Sequence, residues 1–218
     1  MRKTFIVIGL GRFGSNIAKN LVDMNCDVLA VDIDEDSVSQ ISRYVPHCVI
    51  ADATKESVLM ELGVSSIDHA VVAIGNNLQA SILTIVNLKK LGVKKITARA
   101  DVEGHREVFM TLGATEVIIP EEASATSLAN QIISDSFLDY YPLTGSYAIV
   151  KLTISNEIKE NLKDLDLRNN YDVNIVGMIK TNGEFFIPRG TDKFNVGEVV
   201  VVVGTRSKIK KFDELLNG

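Results

Sequence analysis

Residues 5–14, FIVIGLGRFG, decide the fold of this chain. The run FIVI predicts a buried strand, and GLGRFG matches the glycine pattern G-x-G-x-x-G; apolar residues at helical spacing follow over residues 17–22. A strand, a glycine turn and a helix in this order are typical of a Rossmann-like, dinucleotide-binding unit. Gly9 suits the tight turn, Gly11 the close approach of a phosphate, and Gly14 the packing of the helix on the strand.

The same pattern predicts an acidic residue about 20 positions further on, at the end of the second strand. Asp32 follows the apolar run of residues 28–31 and lies 21 positions after Gly11. A carboxylate there accepts hydrogen bonds from ribose hydroxyls and repels a 2′-phosphate, so NADP is disfavoured. The alternative is a glycine turn that only packs a Rossmann-like sheet and binds nothing.

Composition excludes several classes of protein. The 218 residues suffice for one or two domains, and the net charge of −5 argues against a nucleic-acid surface. Cys26 and Cys48 form neither a disulfide framework nor a zinc pattern, which fits a reducing cytosol. Met1 leads directly into a strand pattern without a signal peptide, and no apolar run reaches the roughly 20 residues of a membrane helix. We therefore expect a cytoplasmic protein whose membrane role, if it has one, depends on a partner.

Strand and helix patterns alternate through the first 120 residues. Six short apolar strands with intervening helices indicate an α/β fold, a doubly wound parallel sheet. Such sheets bind ligands at the carboxyl ends of their strands, and Asp32, Asp52, Gly75 and Arg99 all fall at or near those ends. Asp52 also has a simpler interpretation, as a cap for the helix that follows it.

The pattern changes after the sixth strand. Residues 121–138 predict a further helix, and YYPL at residues 140–143 predicts a break. Beyond it the pattern predicts the order β-α-β-β-β-α, with the first short helix over residues 157–162. We therefore predict a Rossmann-type domain over residues 1–136 and a small α+β domain over residues 137–218, a size that often gains stability by pairing with a copy of itself.

Five stretches carry a resemblance to a known family: residues 6–14 (IVIGLGRFG), 31–32 (VD), 51–54 (ADAT), 72–75 (VAIG) and 164–168 (DLDLR). In this order, and over the whole chain, they resemble the RCK (or KTN) domains of TrkA-type and KtrA-type regulators of bacterial potassium uptake. The resemblance implies a cytoplasmic protein held at the inner face of the cell membrane by its partner. It also implies a homodimer that assembles into a homo-octameric ring and gates a membrane potassium-translocating subunit.

The resemblance further implies that the first domain binds ATP, ADP or NAD(H). The glycine turn and its Arg12 would hold the phosphates, Asp32 the ribose, and Asp52 with Ala53 would flank the adenine. The implied cofactor-binding residues are Gly9, Gly11, Arg12, Phe13, Gly14, Asp32, Asp52, Ala53, Gly75 and Arg99.

Two further ligands are implied by the same resemblance. Glu121 would hold a divalent cation near the dimer interface. The second domain resembles those that bind cyclic di-AMP, and the candidate residues for that ligand are Arg168, Asn174, Ile175 and Pro188.

Two other functions were weighed against a gating subunit: an NAD(H)-dependent oxidoreductase and an NADH-responsive redox sensor that binds DNA. A dehydrogenase needs an acid or base beside the nicotinamide, yet His47, His69 and His105 all lie in the first domain. A DNA-binding sensor needs a basic recognition helix, and the acidic balance disfavours one. We therefore expect a nucleotide-sensing subunit that is not an enzyme and has no nucleic-acid partner.

Overall fold

The computed structural model of the protein divides into two compact units, Met1–Glu121 and Glu122–Gly218. The domain limits of 1–136 and 137–218 stay a prediction. The residues that the structure describes are 2–75, 77–133, 136–143 and 145–218.

The first unit is an α/β sandwich, as the sequence predicts. Its strands are β1 (Thr4–Ile8), β2 (Asp27–Asp32), β3 (His47–Ile50), β4 (His69–Val72), β5 (Ile96–Arg99) and β6 (Glu116–Ile118). Its helices are α1 (Arg12–Asp23), α2 (Glu35–Ile41), α3 (Glu56–Glu61), α4 (Leu78–Lys90) and α5 (Gly104–Leu112). The strands form a parallel sheet in the order β3-β2-β1-β4-β5-β6, which confirms the doubly wound fold.

Strand β1 lies at the centre of this sheet. Val7 pairs with Ala30 of β2 on one side and with Val71 of β4 on the other, both in parallel register. Strands β1, β2 and β3 therefore form one half of the sheet. The chain then crosses back, and β4, β5 and β6 form the other half on the opposite side of β1. The reversal between β1 and β4 is the point at which such sheets bind ligands.

Alternate side chains of β1 pack into the cores on the two opposite faces of the sheet. Ile6 and Ile8 belong to a core that includes Leu88 of α4, whereas Val7 belongs to a second core with Ala18 of α1. All five side chains are at most 2% exposed. Successive strand residues point to opposite faces, so an uninterrupted apolar run is what a sheet covered by helices on both sides requires.

The second unit is built on an antiparallel sheet, which confirms the predicted α+β character. The elements after residue 119 are α6 (Pro120–Ile133), β7 (Phe137–Pro142), β8 (Tyr147–Thr153), α7 (Leu162–Leu165), α8 (Leu167–Tyr171), β9 (Val173–Ile179), β10 (Phe185–Phe186), β11 (Val199–Thr205) and α9 (Arg206–Asn217). The strands run in the order β10-β9-β11-β8-β7, and Ile209, Phe212 and Leu216 of α9 pack in the core with alternate residues of β8 and β11. No helix among the described residues is long and apolar enough to span a membrane.

The helix predicted over residues 121–138 is wrong at its carboxyl end. Helix α6 is described to Ile133, residues 134 and 135 lie outside the described residues, and residues 137–142 form strand β7 instead of a helix end and a break. Strand β7 exists because it pairs with β8, for example Tyr140 with Val150. A pairing partner supplied by another segment overrides local helical periodicity. Pro142 is tolerated because β7 is an edge strand.

The helix predicted over residues 157–162 is also wrong. The helical residues start only at Leu162, because the side chain of Asn161 accepts a hydrogen bond from the amide of Asp164 (2.9 Å) and caps α7. Asp166 has φ of 43° and separates α7 from α8. The second unit therefore contains two short helices in tandem where the sequence predicts one.

Candidate functional site

A cavity of about 660 Å³ opens at the carboxyl ends of the strands of the first unit. Its walls include the ends of both β1 and β4, so it lies at the reversal point of the sheet. Its volume falls within the range of about 300–1,000 Å³ typical of small-molecule sites. Eight of the ten residues that the resemblance implied line it: Gly9, Gly11, Arg12, Asp32, Asp52, Ala53, Gly75 and Arg99.

The three glycines of the turn have different structural roles. Gly9 has φ of +93°, and a side chain there would meet the backbone of Ala73 within 3 Å; a side chain on Gly14 would overlap the carbonyl oxygen of Gly9. Both positions therefore require glycine for folding alone. Gly11 is different, because a Cβ there would meet no atom within 4 Å. The absence of a side chain at Gly11 widens the cavity and serves no packing purpose among the described residues.

Asp32 has a role that the sequence did not reveal. One carboxylate oxygen accepts a hydrogen bond from the amide of Leu10 (2.5 Å) and the other from the amide of Asp34 (2.9 Å). The side chain thus ties the glycine turn after β1 to the turn after β2. A carboxylate offers about four acceptor positions, so capacity remains for the hydroxyls of a ribose.

Asp52 is oriented by the turn that follows it, whereas the helix cap that the sequence allowed is not formed, because α3 begins after Lys55 without a side-chain cap. Asp52 lines the cavity, and its carboxylate also accepts from the hydroxyl (2.6 Å) and the amide (3.1 Å) of Thr54. These hydrogen bonds, the hydroxyl first, together with nearby Lys55, hold the pKa of Asp52 below its ordinary value, although burial opposes them. The carboxylate is therefore ionised and oriented at neutral pH.

Two helices begin at the cavity. Helix α1 begins beside Gly11 without a side-chain cap, and helix α4 begins after Asn77, whose side chain accepts from the amide of Ala80 (2.9 Å). Both Asn77 and Ala80 line the cavity. Helix N-termini carry partial positive charge and free amides. The cavity therefore favours an anionic group on either side of the sheet reversal.

Two apolar side chains, Ile33 and Phe13, have positions that the sequence did not predict. Ile33 was not singled out, yet it lines the cavity and is 70% exposed, a flat apolar surface directly after Asp32. Its position one residue past the end of β2 could have predicted that Ile33 lines the cavity. The ring of Phe13 packs against the core on the α1 side of the sheet, and the expected contact of Phe13 with phosphate stays a prediction.

Arg99 is paired with two carboxylates at the edge of the cavity. Its Nη2 donates to Glu121 (2.7 Å) and lies 3.2 Å from Asp101, while its side chain is only 19% exposed. Gly75 faces it, since a Cβ on Gly75 would lie 3.2 Å from Nη1. Within the described ranges no group of three or more His, Cys, Asp or Glu side chains is arranged to hold a metal ion. The cation expected at Glu121 therefore has no ligand cluster within this chain's described residues.

The four residues expected to bind cyclic di-AMP lie on three segments of the second unit. Arg168 is exposed on α8, and Asn174 (exposed) and Ile175 (half-buried) are neighbours on β9, paired with β11. Pro188 is half-buried in the loop after β10. They stay a predicted site.

The sheet order, the cavity at its reversal and the acidic residue at the end of β2 define the Rossmann-like class of α/β proteins. Comparison with known proteins identifies the family within this class to which the chain belongs. Residues 5–120 match the TrkA-N domain and residues 155–217 match the TrkA-C domain. The chain belongs to the family of TrkA-type and Ktr-type potassium uptake proteins, which confirms the resemblance seen in its sequence.

Two relatives and one solved structure illustrate the similarity. The chain is 40% identical to Ktr system potassium uptake protein C of Bacillus subtilis (strain 168), over 98% of this chain and 97% of the relative. It is 37% identical to Ktr system potassium uptake protein A of the same organism, over 97% and 96%. The fold resembles the GsuK channel bound to NAD, with a TM-score of 0.66 and 16% identity over 100% of this chain and 40% of the channel chain.

Proposed function

We propose that this protein is a nucleotide-sensing regulatory subunit of a potassium uptake system, which gates a membrane potassium-translocating subunit without catalysing a reaction of its own. The observation that carries the proposal is the cavity of the first unit, where Gly11 leaves open space between two helix N-termini. It supports binding of ATP, ADP or NAD(H), in a chain that potassium uptake proteins match from end to end.

The phosphates, the ribose and the adenine of a nucleotide each find suitable residues in the cavity. The amides that follow Gly11 and the guanidinium of Arg12 suit the phosphates, since backbone donors and an arginine fork both match phosphate oxygens. Asp32 suits the ribose hydroxyls, and Ile33 offers an apolar surface to the adenine. Gating then requires that the nucleotide bind two conformations of the assembly with different affinity, because only differential affinity shifts a conformational balance.

The remaining parts of the proposal concern the assembly and the second unit. We infer a homodimer that assembles into a homo-octameric ring, cytoplasmic and held at the inner face of the membrane by its partner. We also infer that the second unit binds cyclic di-AMP through Arg168, Asn174, Ile175 and Pro188, and that Glu121 holds a divalent cation near the dimer interface. The family membership supports these inferences.

A thermal-melt panel with ATP, ADP, NAD, NADH, NADP and cyclic di-AMP tests the binding part. A ligand at 100 times its dissociation constant adds about 2.7 kcal/mol to the free energy of unfolding, which for a chain of this size raises Tm by about 5–10 °C. We expect shifts with ATP or ADP and none with NADP. A panel without any nucleotide shift would contradict the proposal, and a shift with NADH alone would favour a redox function.

Potassium-limited growth tests the gating part. In cells that lack the gene, the wild-type protein should restore growth at low potassium, and the Gly11→Val variant should fail to do so while accumulating to the same level. Equal growth with both proteins would show that the cavity has no part in potassium uptake.

A further inference from the structure

Helix α4 holds the loop that follows β3 through two polar side chains. Asn87 donates from Nδ2 to the carbonyl oxygen of Thr54 (2.8 Å). The hydroxyl of Thr84 donates to the carbonyl oxygen of Ala53 (3.4 Å). Thr84 is fully buried and Asn87 is half-buried, and their spacing of three residues places them on one face of the helix. The loop over residues 51–54 is therefore fixed by contacts that span 31 and 33 residues of sequence.

The hydrogen bonds of this loop occupy its carbonyl groups and leave amides unpaired. The carbonyl oxygen of Asp52 accepts from the amide of Lys55 (3.2 Å), while those of Ala53 and Thr54 accept from α4. The amide of Thr54 donates to the carboxylate of Asp52 (3.1 Å). Among the described residues, the amides of Asp52 and Ala53 find no acceptor, and Ala53 is the more buried of the two, at 5% exposed.

Ala53 meets the cavity with its backbone. Its methyl group belongs to the core on the α4 side of the sheet, yet the residue lines the cavity. Buried backbone N–H groups are almost always paired, so this amide suits an acceptor atom of a ligand. The ring acceptor that distinguishes adenine is N1, because guanine and hypoxanthine carry a hydrogen at that position and all three bases share the acceptors N3 and N7. A donor that selects adenine therefore has to meet N1.

We propose that Asn87, together with Thr84, is a positioning residue for base recognition, which holds the loop so that the amide of Ala53 donates to N1 of adenine. Neither Asn87 nor Thr84 lines the cavity, so both act through the loop. The inference rests on the proposed function, because it presumes that ATP, ADP or NAD(H), which all carry adenine, occupies the cavity. It adds the choice of base to that function.

The experiment compares the affinities for ATP and inosine triphosphate (ITP), measured by calorimetry on the full chain. ITP carries hypoxanthine, so its N1–H would face the amide of Ala53 as a second donor. The wild type should bind ATP about tenfold more tightly than ITP. Asn87→Ala should weaken ATP binding about three- to tenfold and leave ITP binding unchanged, so the preference for ATP decreases. Thr84→Val should act in the same direction.

The control is Lys90→Gln. Lys90 lies one turn after Asn87 on α4, and its Nζ donates to Glu56 of α3 at 2.6 Å. It therefore also joins α4 to the segment after β3, but it does not line the cavity. Its change of charge affects ATP and ITP equally, since both carry the same phosphates. We expect the wild-type preference for ATP in this variant.

The outcomes separate base recognition from a purely structural role of Asn87. A structural role would lower the Tm of Asn87→Ala and weaken ATP and ITP by the same factor, and this result would overturn the inference. An equal loss of preference in Lys90→Gln would also overturn it. A wild type that binds ATP and ITP equally well would overturn this inference alone, whereas a wild type that binds no nucleotide would overturn the proposed function as well.

Discussion

At the scale of single residues, the glycine turn separates a requirement of folding from a requirement of binding. Gly14 has no room for a side chain because of the carbonyl oxygen of Gly9, whereas a Cβ on Gly11 would meet no atom within 4 Å, and the backbone of Gly11 is extended with φ of −60°. The motif looks uniform in sequence, yet only one of these two glycines is open to substitution without strain.

We predict opposite phenotypes for Gly11→Val and Gly14→Ala. Gly11→Val should keep the wild-type Tm within a few degrees and lose at least about tenfold in nucleotide affinity, or 1.4 kcal/mol. Gly14→Ala should lose about 2–3 kcal/mol of folding free energy through overpacking against backbone. Differential scanning fluorimetry with and without ATP measures both effects.

Gly104→Val serves as the control for Gly11→Val. Gly104 also has open space around its Cβ position but lies at the start of α5, away from the cavity. It should retain nucleotide affinity. Retained affinity in Gly11→Val as well would mean that the turn only packs the sheet.

At the scale of elements, three hydrogen-bonded polar side chains join three strands of the first unit at their amino ends. His69 on β4 lies 2.8 Å from the hydroxyl of Thr97 on β5, and that hydroxyl donates to Glu116 on β6 at 3.0 Å. Since Thr97 has only one proton to donate, it accepts from the Nε2–H of His69. These hydrogen bonds couple the amino ends of β4, β5 and β6.

We predict that the lowered pKa of His69 makes folding stability depend on pH. Burial, and then the nearby charge of Lys95, lower the pKa of His69, with Lys3 adding to this and Glu116 opposing it. The unfolded chain therefore binds the proton first, so stability is complete above the ordinary pKa of about 6.5 and is lost as pH falls through the folded pKa. Urea unfolding between pH 7 and pH 5 should show this loss.

His69→Gln should flatten that part of the pH profile, since glutamine does not titrate. His47→Gln is the matched control: His47 is exposed at the start of β3, so its replacement should leave the wild-type profile unchanged. Carboxylates whose pKa is lowered, such as Asp52 and Asp68, contribute stability that is present throughout this range and is lost only at lower pH, as the pH falls through their folded pKa. A wild-type slope in His69→Gln would show that the histidine is not the group that titrates.

At the scale of the whole molecule, the two units are expected to bind different ligands. Each has its own core and its own sheet, one parallel and one antiparallel. A substitution in one unit should therefore leave the ligand of the other unit bound.

We predict that Gly11→Val abolishes the Tm shift caused by ATP but keeps the shift caused by cyclic di-AMP. Arg168→Ala should do the reverse, because removing an exposed cation from α8 takes away a contact to phosphate without disturbing the core. Lys208→Ala is the control in the second unit, as it removes an equally exposed cation from α9. Loss of both shifts in either variant would contradict separate sites.

The sequence by itself determined the class of fold and most of the cavity. Gly9, Gly14 and Asp32 were predictable because each has a local role: a positive φ, a close contact, an acid at a strand end. The apolar run of β1 also predicted a sheet covered on both faces, since period-2 alternation is absent from it.

Only the tertiary structure decided the features that depend on contacts far apart in the chain. Residues 137–142 form a strand because β8 pairs with them, and the ring of Phe13 packs against the core on the α1 side of the sheet. The bond from the amide of Leu10 to Asp32 and the pair between Arg99 and Glu121 each join residues 22 apart. Local periodicity carries no information about such distances, because side chains that meet across a sheet are brought together by the fold and not by their spacing.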